Sequence, residues 1–193
     1  MKKLFLLAVV MLSSVGAFAQ NEVGTFSIQP KVGLNIANLT KIANNDPRVG
    51  LAAGVEAEYQ ITDLLSVAAG ALYSVQGVKA EGDLPILGHT KEIDKLDYIN
   101  VPIVANVYVT KGLAIKVGAQ FGFCVNKKAE INDVEIDLDA AKTFDFSIPV
   151  GISYEYSNVV LDARYNWGLT KAIDGLDSKN SVFQITLGYK FGL

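Results

Sequence analysis

The chain has 193 residues, with 17 basic against 20 acidic side chains and a formal net charge of −3 at pH 7, a balance that does not suggest nucleic acid as a partner. Half of its residues are hydrophobic, yet beyond the N-terminal stretch no apolar run approaches the ~18 residues of a membrane-spanning helix. Cys124 is the only cysteine, which excludes an internal disulfide.

The N-terminus reads as an export signal. Lys2 and Lys3 form a charged start, Leu4 to Leu12 an apolar stretch too short to span a bilayer, and Ala17-Phe18-Ala19 a small-x-small cleavage site. The expected division is a cleaved signal over 1–19 and one β-barrel domain over 20–193, beginning at Gln20.

From Phe26 onward, apolar and polar residues alternate in eight segments. Strict alternation is the mark of a strand with two unlike faces. The first sets Phe26, Ile28, Val32, Leu34 and Ile36 against Ser27, Gln29, Lys31, Gly33 and Asn35. The second sets Val49, Leu51, Ala53, Val55, Ala57 and Tyr59 against Gly50, Gly54, Glu56, Glu58 and Gln60. The third opposes Leu65, Val67, Ala69, Ala71, Tyr73 and Val75 to Ser66, Gly70, Ser74 and Gln76; the fourth opposes Ile99, Val101, Ile103, Ala105, Val107 and Val109 to Asn100, Asn106 and Tyr108. In the fifth, Leu113, Ile115, Val117, Ala119, Phe121 and Phe123 alternate with Lys116, Gly118, Gln120, Gly122 and Cys124. In the sixth, Phe144, Phe146, Ile148, Val150, Ile152 and Tyr154 alternate with Asp145, Ser147, Gly151, Ser153 and Glu155. The seventh has Val159, Leu161, Ala163, Tyr165 and Trp167 opposite Asp162, Arg164, Asn166 and Gly168; the eighth has Phe183, Ile185, Leu187, Tyr189 and Phe191 opposite Gln184, Thr186, Gly188 and Lys190.

Alternation alone also fits a soluble barrel with its apolar face inward. Three features favour a membrane. Tight turns at Ile61-Thr62-Asp63, Thr110-Lys111-Gly112 and Ser157-Asn158 contrast with longer connections after strands one, three, five and seven. Aromatic residues form two girdles on the apolar face. Phe26, Tyr59, Tyr154, Tyr156, Tyr189 and Phe191 lie at the turn end; Tyr73, Phe121, Phe123, Phe144, Phe146, Tyr165, Trp167 and Phe183 lie at the other. The polar face is rich in glycine and serine and carries charges of both signs, as a narrow lumen requires. The expected fold is therefore all-β: an eight-stranded antiparallel up-and-down transmembrane β-barrel of an outer membrane, closed by strand one against strand eight. Its termini would be periplasmic and its long loops extracellular. Pro30, Pro102 and Pro149 fall inside strands, so bulges or shifted boundaries are expected there.

The runs Tyr98-Ile99-Asn100-Val101-Pro102-Ile103, Gly112-Leu113 and Gly118-Ala119-Gln120-Phe121-Gly122 resemble the PorT-like outer-membrane β-barrel domain family of Bacteroidetes-type bacteria. Asp162 to Leu169 and Gln184 to Phe191 look like that family's last two strands. The resemblance implies a fold far more than an activity, although founding members take part in secretion of surface proteins. Here Gly192 and Leu193 follow Phe191, whereas such barrels commonly finish on an aromatic residue.

The best candidate constellation is on the lumen face. Lys31, Lys116, Arg164 and Lys190 are the bases; Glu56, Glu58, Asp145, Glu155 and Asp162 are the acids. Buried charges must pair, so these residues predict a plug of salt bridges. The alternative, a gated ion path, is disfavoured because an eight-stranded barrel is only wide enough for its side chains. His89, the lone histidine, falls in the connection after strand three, where a surface role is expected rather than that of a lipid-modifying enzyme's base. Asp133, Glu135, Asp137 and Asp139 alternate within 127–142, predicting a hairpin with an acidic side; divalent cation binding is the alternative. No catalytic residue, cofactor or metal site is indicated. The leading expectation is a non-enzymatic barrel that sits in outer-membrane lipid and presents loops to an envelope or surface protein partner. A secretion accessory, a lipid-modifying enzyme and a narrow channel are the rivals.

Overall fold

A computed structural model describes residues 22–41, 45–84, 88–131, 134–137, 140–173 and 175–193. The region expected as an export signal lies outside the described residues.

The described residues form ten strand segments: β1 (Phe26–Leu39), β2 (Asn45–Thr62), β3 (Leu65–Leu84), β4 (Gly88–Thr110), β5 (Leu113–Ile131), β6 (Val134–Asp137), β7 (Phe144–Tyr156), β8 (Val159–Gly168), β9 (Asn180–Tyr189) and β10 (Phe191–Gly192). β6 pairs only with β5, and β9 and β10 both pair with β1. The result is a closed antiparallel barrel of eight strands in chain order, with β9 and β10 together forming the eighth.

The stagger of the barrel can be followed pair by pair. From Phe26 the partners run to Tyr59, Val67, Ala105, Val117, Val150, Tyr165 and Phe183, and return to β1 at Ile36. The path closes ten residues from its start. At ~3.3 Å per residue and ~4.8 Å between strands, that stagger corresponds to a strand tilt of about 40°.

Burial is the reverse of a soluble protein's. On the outward face Val32 is 55 %, Leu187 53 % and Trp167 63 % exposed, whereas inward Arg164, Glu56 and Asp162 are each 1 % exposed. The apolar face therefore points out and the polar face in, and a wall this apolar demands lipid rather than water.

At one end the strands join through Asp63–Leu64, Lys111–Gly112 and Ser157–Asn158. Ser157 and Asn158 both have positive φ, 46° and 73°, the backbone of a type I′ hairpin turn whose twist matches the flanking strands. Gly112, at φ 76°, supplies the left-handed residue of the middle turn.

At the opposite, loop end the strands run further than alternation indicates. The connection after the third alternating run, expected as one of the long loops, is mostly ladder: Val78 pairs with Asp94 and the pairing continues to Leu84 and Gly88. Likewise β1 and β2 are separated only by 40–44, and β5 continues to Ile131 to pair with β6 as a hairpin within 127–142. Once a strand leaves lipid, neither face must be apolar, so alternation fades while backbone pairing persists. Among the described residues the connection between β8 and β9 stays outside the ladder, and it is tied to the loop end by backbone bonds from Lys142 to Ala172 and from Thr40 to Lys179. Ala141 bridges Ile173, and Leu39, Leu96, Tyr98, Cys124, Ala172 and Ile173 pack into a small apolar core at the loop end.

The three prolines produce neither bulge nor shift. Pro30 pairs in register with Val55, Pro102 with Gln120 and Pro149 with Asn166. On the other side of each, the ladder is interrupted and then resumes in the same register. Lys31↔Gly188 follows Ile28↔Phe191, Leu72↔Asn100 follows Ala69↔Ile103, and Gln120↔Ser147 follows Val117↔Val150. A strand N–H points to one neighbour only, so proline removes a bond on one side and leaves the other ladder whole. The gap beside Pro30 is what separates β9 from β10.

Candidate functional site

The barrel interior holds two groups of charges. In the middle, Lys31 on β1 donates to Glu56 on β2 at 2.8 Å and lies 3.4 Å from Asp162 on β8. Lys116 on β5 donates to Asp162 at 2.6 Å. Arg164 faces both acids: Nη2 donates to Glu56 Oε2 at 2.8 Å and to Asp162 Oδ2 at 2.7 Å, Nε donates to Asp162 Oδ1 at 2.7 Å, and Nη1 lies 2.7 Å from Glu56 Oε1. A planar guanidinium suits this two-sided arrangement because its donors form a fixed fork.

Nearer the turn end, Lys190 donates to Glu155 at 2.6 Å and lies 3.2 Å from Glu58. Glu58 also accepts from Ser66 and from the Tyr108 hydroxyl, each at 2.6 Å. The middle group carries three cations and two carboxylates, and the lower group one cation and two carboxylates. Together they are neutral.

Register explains how long charged side chains fit so narrow a lumen. Glycine lies beside several of them on the inward face: Gly54 pairs with Lys31, Gly70 with Glu56, and Gly151 with both Lys116 and Arg164. A Cβ on Gly70 would stand 2.6 Å from Glu56 Cγ, and one on Gly151 3.0 Å from Arg164 Cγ. The absent side chains are the space the charges occupy.

Asp145 stands apart from this network. It lies toward the loop end and accepts from Thr170 Oγ1 at 3.1 Å and Asn180 Nδ2 at 3.0 Å, with no ion pair among the described residues. Alternation places it on the correct face, but the stagger carries it above the cations. Sequence reasoning also missed Arg48 and Asp97, 3.7 Å apart at the loop end, where Asp97 further accepts from Tyr73 at 3.0 Å and Asn126 at 2.9 Å. The available signal was Asp97 immediately ahead of the fourth alternating run.

The aromatic residues of the two girdles lie on the outward face, whereas Tyr98 and Tyr108 point inward. Tyr73, Ile99, Phe123 and Phe144 follow one another across neighbouring strands at the loop end, and Phe121 pairs with Phe146 with ring centroids 5.4 Å apart. Phe26 pairs with Tyr59, and Tyr156 and Tyr189 flank Val159, at the turn end. Tyr154 pairs with Leu113, Tyr165 with Phe183 and Trp167 with Ser181, while Phe191 pairs with Ile28. From Phe144 to Tyr154 is ten residues of β7, which at ~3.4 Å each and ~40° tilt spans roughly 25 Å, the height of an outer-membrane apolar band.

His89 is not in a loop: its backbone pairs with Asp83 in the β3–β4 extension. Of the alternating acids, Glu135 and Asp137 lie on β6, while Asp133 and Asp139 fall outside the described residues. Among the described residues no group of three or more His, Cys, Asp or Glu is placed to hold a metal ion.

A closed, staggered wall that is apolar outside and polar within defines a transmembrane β-barrel of the outer-membrane type. Residues 18–174 match the family described as outer membrane protein beta-barrel domain, and the chain belongs to that family. Among solved structures it is similar in fold to Ail, the attachment invasion locus protein of Yersinia pestis, at 14 % identity and a TM-score of 0.53, over 88 % of this chain and 100 % of that one. It is likewise similar to Neisserial surface protein A (NspA), at 17 % identity and a TM-score of 0.53, over 86 % of this chain and 97 % of that one. Among curated proteins, none matches the chain.

Proposed function

We propose that this is a non-enzymatic outer-membrane protein whose closed, ion-paired barrel serves as an anchor for its loop-end rim, which binds a partner or contributes to envelope integrity. The observation that carries this reading is the filled interior: two charge groups that balance to zero, beneath a mouth packed with Leu39, Leu96, Tyr98 and Ile173. Such a lumen leaves no wide aqueous path, and the residues free to meet partners are those of the rim. In this reading residues 1–19 are removed on export, the tight turns and both termini face the periplasm, and the extended strands project from the cell. The test is reconstitution of the purified barrel in planar bilayers. A flat current supports an anchor. Discrete conductance steps that change in Arg164→Gln would replace it with a narrow channel.

A second reading, accessory to a protein-secretion complex, rests on the PorT-like residues around Tyr98–Ile103 and Asp162–Leu169. Crosslinking in intact cells followed by purification of the barrel would recover envelope secretion partners if it holds. Lipid modification has less support, because the backbone of His89 lies beyond the loop-end aromatic residues. Expression in a heterologous outer membrane should leave the mass of lipid A unchanged.

A further inference from the structure

Where β5 and β7 part, the loop end opens into a cleft of about 670 Å³. The last β5–β7 pair below it is Phe123↔Phe144; above that pair, β5 continues alongside β6, and the chain before β7 crosses to Ile173 through Ala141. Lys127, Lys142 and Lys171 line the cleft with the hydroxyl-bearing Thr143 and Thr170, and Phe144 lies at its base. None of its described lining residues is acidic.

The Lys127 ammonium is fixed rather than trailing into solvent. Its Nζ donates to the Ala141 carbonyl at 2.7 Å and to Thr143 Oγ1 at 2.8 Å, leaving one of three N–H donors for a ligand. Thr143 is one residue from Phe144, itself 45 % exposed in the loop-end girdle. The positive charge is thereby held just past the edge of the apolar band, in the layer of ~5–8 Å that lipid headgroups occupy on each side of a bilayer.

We propose that this cleft binds a phosphate of an outer-leaflet lipid headgroup, with the lipid's acyl chains against the apolar wall below Phe144. The proposal rests on the reading that the loop end faces the cell exterior. A phosphate offers acceptors to Lys127, to Lys171 and to the Thr143 hydroxyl, which accepts from Lys127 and keeps its own proton to donate, whereas the Thr170 hydroxyl already donates to Asp145; charge-assisted bonds of this kind are the strong ones. A lipid is favoured over a free anion because the cleft borders an exposed apolar wall. An anion tethered to acyl chains gains contact there that a soluble one cannot.

The test uses the full barrel refolded in neutral detergent and mixed with lipid A carrying or lacking its phosphates, with retained lipid counted by native mass spectrometry. Retention of the phosphorylated form should exceed that of the dephosphorylated form by about tenfold or more, the size expected for one or two charge-assisted hydrogen bonds. Lys171→Gln and Lys127→Gln should each erode that preference while the heat-modifiable gel band of the folded barrel is kept. Lys171 is exposed and makes the cleaner variant should Lys127→Gln disturb the local backbone. Equal retention of the two lipids overturns the proposal, as does displacement by millimolar inorganic phosphate, which would make this a free-anion site. Labelling of Leu176→Cys on intact cells by a membrane-impermeant maleimide separates the two layers of argument. No labelling refutes the outward orientation and the outer-leaflet site with it. Labelling without lipid preference refutes the site alone.

Discussion

Glu56→Gln isolates the energetics of the lumen. Glu56 is 1 % exposed and holds both Lys31, at 2.8 Å, and Arg164, at 2.7 and 2.8 Å. The replacement keeps shape and removes one charge. Lys31, Lys116 and Arg164 are then left with Asp162 as the single carboxylate of the group. Breaking a buried pair by removing one partner costs about 3–5 kcal/mol, because the remaining charge is desolvated without compensation. At ~1.4 kcal/mol per tenfold, the folding equilibrium should fall by roughly two to three and a half powers of ten. Adding Lys31→Met restores the original charge of the group, and the double variant should recover about 0.5–3 kcal/mol relative to the sum of the singles. The assay is urea-driven unfolding in lipid vesicles. Trp167, the only tryptophan and 63 % exposed on the lipid face, reports the transition by fluorescence, and the mobility of unheated samples on gels reports it independently. A cost below ~1 kcal/mol, with no recovery in the double variant, would show that water screens these charges and would refute the argument from desolvation.

Lys190→Met should destabilise the barrel by a similar ~3–5 kcal/mol, since it leaves Glu58 and Glu155 buried without their shared cation; adding Glu155→Gln should shrink the loss in the same urea assay. Ser157→Val places a β-branched residue at φ 46° and should cost about 1–3 kcal/mol, read as a lower urea midpoint, whereas Ser157→Gly should be nearly neutral. At the loop end, the hydrogen bond from Lys41 holds the Asp177 carboxyl below its ordinary range. A lowered folded-state value means the contact is present at neutral pH and is lost as pH falls through that value. Carboxyl-carbon NMR should therefore show an acid-shifted midpoint for Asp177 that moves up toward the ordinary aspartate value in Lys41→Ala.

Much of this molecule was legible in the chain because a membrane barrel imposes one rule on every strand: lipid on one side, lumen on the other. Alternation from Phe26 to Phe191 gave the number of strands, their faces and the three tight turns. It gave less where the rule lapses. Beyond the girdle neither face has to be apolar, so the paired extensions of β3 and β4 read as loop, and the contact of Ala141 with Ile173 at the loop end has no periodic signal at all. Proline statistics misled at Pro30, Pro102 and Pro149, since a missing N–H interrupts one ladder while the intact neighbour holds register. What the tertiary structure alone decided is which charges meet. Glu56 and Arg164 are 108 residues apart, and Lys31 and Asp162 are 131 apart. The face of each followed from its parity in a strand, but its height in the lumen followed from a stagger of ten summed over eight pairings. That sum brings Lys31, Glu56, Lys116, Asp162 and Arg164 to one level and leaves Asp145, on the same face, above them with Asn180 and Thr170.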